Sequence, residues 1–105
     1  MRLTKKNMPE TMYRASRCCR VMGNPTAYLL LRCLRKARQT PKALSAETGI
    51  PVSTVSMTLR HLREVDLVRY ETKWREKEYW VKDSDVLGIL DALERHVEGM
   101  RMKRT

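Results

Sequence analysis

Phenylalanine is absent from this 105-residue chain, and glycine and proline occur four times each. So few chain breakers exclude long irregular loops and leave ordered elements joined by short connections. No apolar run approaches the roughly 20 residues that a membrane-spanning helix needs. The basic opening stretch 1–10 also lacks the apolar segment of a secretory signal. Cysteine is sparse: three residues, two of them adjacent, make no disulfide framework. These absences predict a cytoplasmic protein with no membrane partner. Acidic residues are few as well, 12 against 22 lysines and arginines, for a net charge of +10. In so short a chain that surplus points to a polyanion, nucleic acid first and an anionic membrane surface second.

What is present suits a single domain over 1–105. Apolar residues make up 42% of the chain, enough for one modest core. Residues 1–7 read as a basic arm. Met8, Met12, Ala15, Cys19 and Met22 recur at helical spacing and predict a helix over 9–22 that Gly23 ends. Asn24-Pro25 is a helix start, an Asn cap followed by Pro at the first turn. The helix it opens places Ala27, Leu30, Leu31, Leu34 and Ala37 inward. Thr40-Pro41 repeats the signal for a short helix that stops at Gly49. Another helix, from Val52 to about Val65 with Ser53 or its neighbour near the cap, turns Val52, Val55, Leu59, Leu62 and Val65 inward.

After Asp66 the apolar period falls from about 3.6 to 2, so 67–73 and 77–82 read as two strands around a short turn at Trp74, Arg75 and Glu76. A last helix over 84–102 carries Val86, Ile89, Leu90, Leu93, Val97 and Met100 on one face. Helices 9–22 and 84–102 show more apolar surface than a core of this size covers, which predicts a homodimer built on them.

Segment 41–65, a short helix, a tight turn at Gly49 and a second helix, is a helix-turn-helix, and the hairpin 67–82 that follows it is a wing. The fold class expected is therefore mainly α with a small β-hairpin: a winged helix-turn-helix of five helices and a two-stranded wing. In such a motif the second helix enters the major groove of double-stranded DNA, and its first residues reach base edges. The residues in that position are Ser53, Thr54, Ser56, Met57 and Thr58, followed by Arg60 and His61. Small hydroxyl side chains permit close approach, and methyl groups can meet thymine. On the wing, Lys73, Arg75 and Lys77 would meet phosphates, although Glu71, Glu76 and Glu78 interleave with them. A protein- or RNA-binding module of a larger complex is the competing reading, and exposed apolar residues on the second helix would favour it. No nucleophile–base pair, phosphate-cradling glycine loop or metal triad appears, so an enzyme, a cofactor and a small-molecule substrate are not expected.

The strings CRVMGNPTAYLLLRCL, ALSAETGIPVSTVSMTLRHLREVDLV and KEYWV, in this order, resemble the ArsR-type winged-helix family of arsenic- and metal-responsive repressors over roughly 15–82. The resemblance implies a sequence-specific, homodimeric transcription regulator of double-stranded DNA that acts as a repressor. Ala27 stands where that family has Arg, Thr58 where its recognition helix has His, and Asp66 where it has Gly. Asp tolerates the left-handed backbone that last position needs.

The family's metal sites have no counterpart here. The first helix of the motif offers Lys42, Ala43 and Leu44 in place of its cysteines. The last helix offers one histidine, His96, among Asp85, Asp91, Glu94 and Glu98. No metal is expected, and zinc is expected not to regulate the protein. Cys18, Cys19 and Cys33 remain as packing residues or, on the sharper reading, as a thiol sensor beside Arg17, Arg20 and Arg32.

Overall fold

The computed structural model describes residues 7–103, with side chains described through residue 100. Most of the basic arm and the last side chains of 84–102 lie outside the described residues. The elements run α1 (Glu10–Met22), α2 (Pro25–Leu34), α3 (Pro41–Thr48), α4 (Val52–Glu64), β1 (Val68–Lys73), β2 (Glu76–Val81) and α5 (Ser84–Lys103). Among the described residues this is five helices and one antiparallel hairpin, the winged helix-turn-helix expected.

Local chemistry sets the helix starts. The Asn24 carboxamide oxygen accepts from the Ala27 amide at 3.1 Å, and the Thr40 hydroxyl accepts from the Ala43 amide at 3.1 Å. Each residue satisfies an amide that the first helical turn leaves open, and each is followed by a proline whose ring already holds a helical φ. Gly49 ends α3 at a φ of 77°, in the left-handed region. Asp66 takes a φ of 56° between α4 and the hairpin, as the sequence suggested for that position.

The core gathers Leu30 and Leu31 of α2, Leu44 of α3, Val55, Leu59 and Leu62 of α4, Val68 of β1 and Leu90 of α5, all fully buried. Two inward positions and one cap are corrected. Ala37 is exposed, because α2 stops at Leu34 and the chain turns out to reach β2. Val52 is 44% exposed at the very start of α4, before the helix lies over the core. Ser53 does not cap α4; Pro51 holds the cap position, and no side chain bonds there. The wing turn is also shorter than expected, since Glu76 already pairs with Lys73 and only Trp74 and Arg75 lie between the strands.

One pairing was not legible in the sequence. Gln39 forms a lone bridge to β2: its amide donates to the Tyr79 carbonyl at 3.0 Å, and its carbonyl accepts from the Tyr79 amide at 2.8 Å. The Gln39 carboxamide meanwhile donates to the Cys33 carbonyl at 3.2 Å, closing the end of α2. With its backbone groups used on that side, Tyr79 faces Tyr70 as a close, non-hydrogen-bonded cross-strand pair, and their ring centroids lie 5.2 Å apart.

A polar clamp joins α5 to α2. The Tyr28 hydroxyl donates to Glu94 at 2.6 Å, and the Arg35 guanidinium donates to both oxygens of Asp91, at 2.6 and 3.2 Å. Burial, with the Glu94 carboxylate beside it, pushes the Tyr28 phenol up to about 12, so it remains a donor at neutral pH. The Arg35 bond holds the Asp91 carboxyl below its ordinary value, and the Arg69 bond does the same for Asp66. A depressed folded-state pKa contributes stability above the ordinary carboxylate range and loses it as pH falls through the folded value. Acid is therefore expected to weaken both contacts below about pH 4. In urea titrations, Asp91→Asn combined with Asp66→Asn should flatten the fall in stability between about pH 5 and pH 2. An unchanged pH dependence would show that other carboxylates carry it.

Candidate nucleic-acid interface

Helix α4 buries Val55, Leu59 and Leu62 and is thereby held with its opposite side outward. Steps of four and three from Ser53 lead to Met57 and Arg60, so these three share the outward face, and all are exposed. Ser56 lies on the flank toward the hairpin. There, with Val52, it lines a groove of about 280 Å³ whose other walls include Thr40, Lys42, Arg75, Glu76 and Lys77. His61 and Thr58 lie on the other flank, beside Arg20, Val21 and Asn24 at the corner of α1 and α2. The Thr58 hydroxyl donates to the Thr54 carbonyl of its own helix at 2.8 Å. Both threonines are half-buried.

The hairpin sorts its charges by face. The register pairs Glu71 with Glu78 and Lys73 with Glu76 on one face, and Thr72 with Lys77 on the other, where Tyr70 and Tyr79 also lie. Glutamates directly across from each other repel. Lys73 sits 3.7 Å from Glu71 and 3.4 Å from Glu78, and Arg38 donates to Glu71 at 2.9 Å, which offsets that repulsion. Lys73 is thus engaged with carboxylates. Lys77 lies over the Tyr70 ring at 4.8 Å on the α4 side. Among the described residues neither Arg60 nor Arg75 has an ion-pair partner.

Sequence reading missed Val52 and Lys42, which share the groove with Ser56. Val52 was hidden by its apolar character and Lys42 by its place in the preceding helix. It also passed over Trp74, 99% exposed at the end of the hairpin.

The three thiols are free and differ in setting. Cys33 is buried, and burial, reinforced by the Glu47 carboxylate, pushes its thiol up to about 11. The half-buried Cys18 donates to the Val65 carbonyl at 3.6 Å. Cys19 is exposed, on the wall of an apolar groove of about 610 Å³ between α1, α2 and α5. Among the described residues no three of His, Cys, Asp and Glu gather as metal ligands would, and no helix is long and apolar enough to cross a membrane.

Residues 22–71 match the family model of a helix-turn-helix domain. No curated protein sequence matches the chain. Among solved structures, the chain is similar to NolR from Sinorhizobium fredii, at 27% identity with a TM-score of 0.75 over 90% of this chain and 94% of that one. It is also similar to the homodimeric winged helix-turn-helix DNA-binding domain of Mb0332 from Mycobacterium bovis, a possible ArsR-family transcriptional regulator. There the identity is 20% and the TM-score 0.76, over 90% of this chain and 87% of that one. The transcriptional repressor BigR from Xylella fastidiosa matches at 20% identity and a TM-score of 0.71, over 87% and 93% of the two chains. With a helix-turn-helix domain at its centre and this winged architecture extending over both flanks, the chain has the winged helix-turn-helix fold that these regulators share.

Proposed function

We propose that this protein is a homodimeric regulator of transcription that binds double-stranded DNA in a sequence-dependent way. The observation that carries the reading is one continuous surface. Ser53, Met57 and Arg60 of α4 form its centre, and Ser56, Arg75 and Lys77 line its border with the wing. Small hydroxyls and a methyl-bearing side chain suit base edges, and cations at the border suit phosphates. Thr54, Thr58 and His61 flank this surface toward α1 and α2, and Lys73 adds charge at the wing. Met57 is the one large apolar side chain at the centre, too little for a protein-docking face.

The dimer has its own support. Met12 of α1, Leu29 of α2, and Ile89, Leu93, Val97 and Met100 of α5 are exposed, and several of them border the apolar groove between these helices. A second copy related by a two-fold axis would cover this surface. It would also supply a second α4 for the neighbouring major groove, about 34 Å away along the duplex.

Binding is tested by selection from a random duplex pool under reducing conditions. Failure to retain any duplex overturns the reading, and retention of RNA alone would favour an interaction module. Arg75→Ala and Lys77→Ala are each expected to weaken binding to all duplexes alike and to lower the log–log salt slope by about one. A changed sequence preference at constant salt slope would place these side chains on bases instead.

A further inference from the structure

Trp74 is the exception in an otherwise well-satisfied hairpin. It is 99% exposed and has a φ of 61°, a backbone conformation that a bulky residue rarely adopts. Of the two turn residues only Trp74 has a positive φ. Glycine is the residue suited to such a position in a two-residue hairpin. Both features oppose folding, and nothing among the described residues compensates them. The other tryptophan, Trp80, is only half exposed and lies under the Arg38 guanidinium, 4.1 Å from its ring. A large flat apolar group is thus held in water at the far end of the surface formed by α4 and the wing. Lys73 and Arg75 flank it, and Arg75 has no ion-pair partner among the described residues.

We infer that Trp74 is an apolar wedge for duplex DNA. It enters the minor groove beside the major-groove segment that α4 faces, and its indole rests against sugars and base edges there. The inference rests on the proposed DNA-binding function and adds a residue and a mode of selection to it. Only a nucleic acid presents dense negative charge for Arg75 and flat apolar surface for an indole within the span of one turn. Apolar side chains that wedge into the minor groove part adjacent base steps and bend the duplex. Sites with a flexible pyrimidine–purine step under the wing, TA or CA/TG, are therefore preferred at a position that no hydrogen bond reads.

Two measurements on the full chain test this, using a duplex selected from the random pool. In Trp80→Phe, Trp74 is the sole tryptophan, and excitation at the red edge of the absorption band selects it over the four tyrosines. Its emission is expected to shift to the blue and to become protected from acrylamide when the duplex saturates the protein. Trp74→Gly removes the side chain and relieves the positive φ, so its melting temperature should equal or exceed the parent's. Its affinity for the selected duplex should fall about tenfold or more with the salt slope unchanged, because no phosphate contact is lost. Unchanged emission and quenching at saturation, or Trp74→Gly binding as tightly as the parent, would overturn the wedge. So would a loss accompanied by a drop in salt slope of about one, which would mean that Trp74 only positions Arg75. If the parent chain binds no duplex at all, it is the proposed function that fails.

Discussion

Leu93→Glu is expected to convert a dimer into a folded monomer and to weaken binding to a two-half-site duplex by at least about a hundredfold. Leu93 is 46% exposed, so a carboxylate there costs little within one chain. Ile89, Leu93, Val97 and Met100 succeed one another at steps of four, four and three along α5, which makes them one stripe. Two such stripes packed about a two-fold axis would bring the new carboxylates close together in a water-poor seam, where neither has a partner. Loss of the second subunit removes the second half-site contact, and linked binding of that kind is worth about a hundredfold to ten-thousandfold in affinity. Light scattering at micromolar concentration measures the mass, circular dichroism checks the fold, and titration of one- and two-half-site duplexes measures the linkage. A parent chain that is already monomeric, or a variant that remains dimeric, would remove the basis for the α1–α5 interface.

Leu59→Ala should destabilise the fold by about 2–5 kcal/mol, through lost burial and the cavity left behind. Leu59 is fully enclosed where α4 rests on the rest of the core. A domain this small has only about 5–15 kcal/mol to lose. The melting temperature should fall by about 10 °C or more, since each kcal/mol shifts it by roughly 4–8 °C in domains near this size. Met57→Ala is the matched control on the same helix. Met57 is 52% exposed, so its removal should change stability by less than about 0.5 kcal/mol while still altering binding to DNA. Equal destabilisation by the two substitutions would mean that α4 is not seated with Leu59 inward.

The sequence alone determined the order and type of the elements, because each boundary is written by a residue acting on its nearest neighbours. Asn24-Pro25 and Thr40-Pro41 fix helix starts through a side chain and an amide three residues on, and Gly49 stops α3 through its own φ. The change of period after Asp66 marks the hairpin, and this succession is enough to specify a winged helix-turn-helix. Tertiary structure decided which groups meet. Apolar spacing names a face of a helix without saying what covers it. On α5 the stripe divides accordingly, with Val86 and Leu90 in the chain's own core and Leu93, Val97 and Met100 exposed. Val52 has the chemistry of a core residue and lies outside the core, because α4 begins before it crosses the other helices. The Gln39–Tyr79 bridge joins residues forty positions apart, beyond the reach of any local signal. Charges that simply alternate along 71–78 become ordered only once the strand register sets Glu71 against Glu78 and turns Lys77 toward α4. Short-range hydrogen bonding and backbone sterics are properties of a few consecutive residues and can be read from them. Burial, cross-strand pairing and a shared binding surface depend on the arrangement of distant segments, so they exist only once the chain has folded.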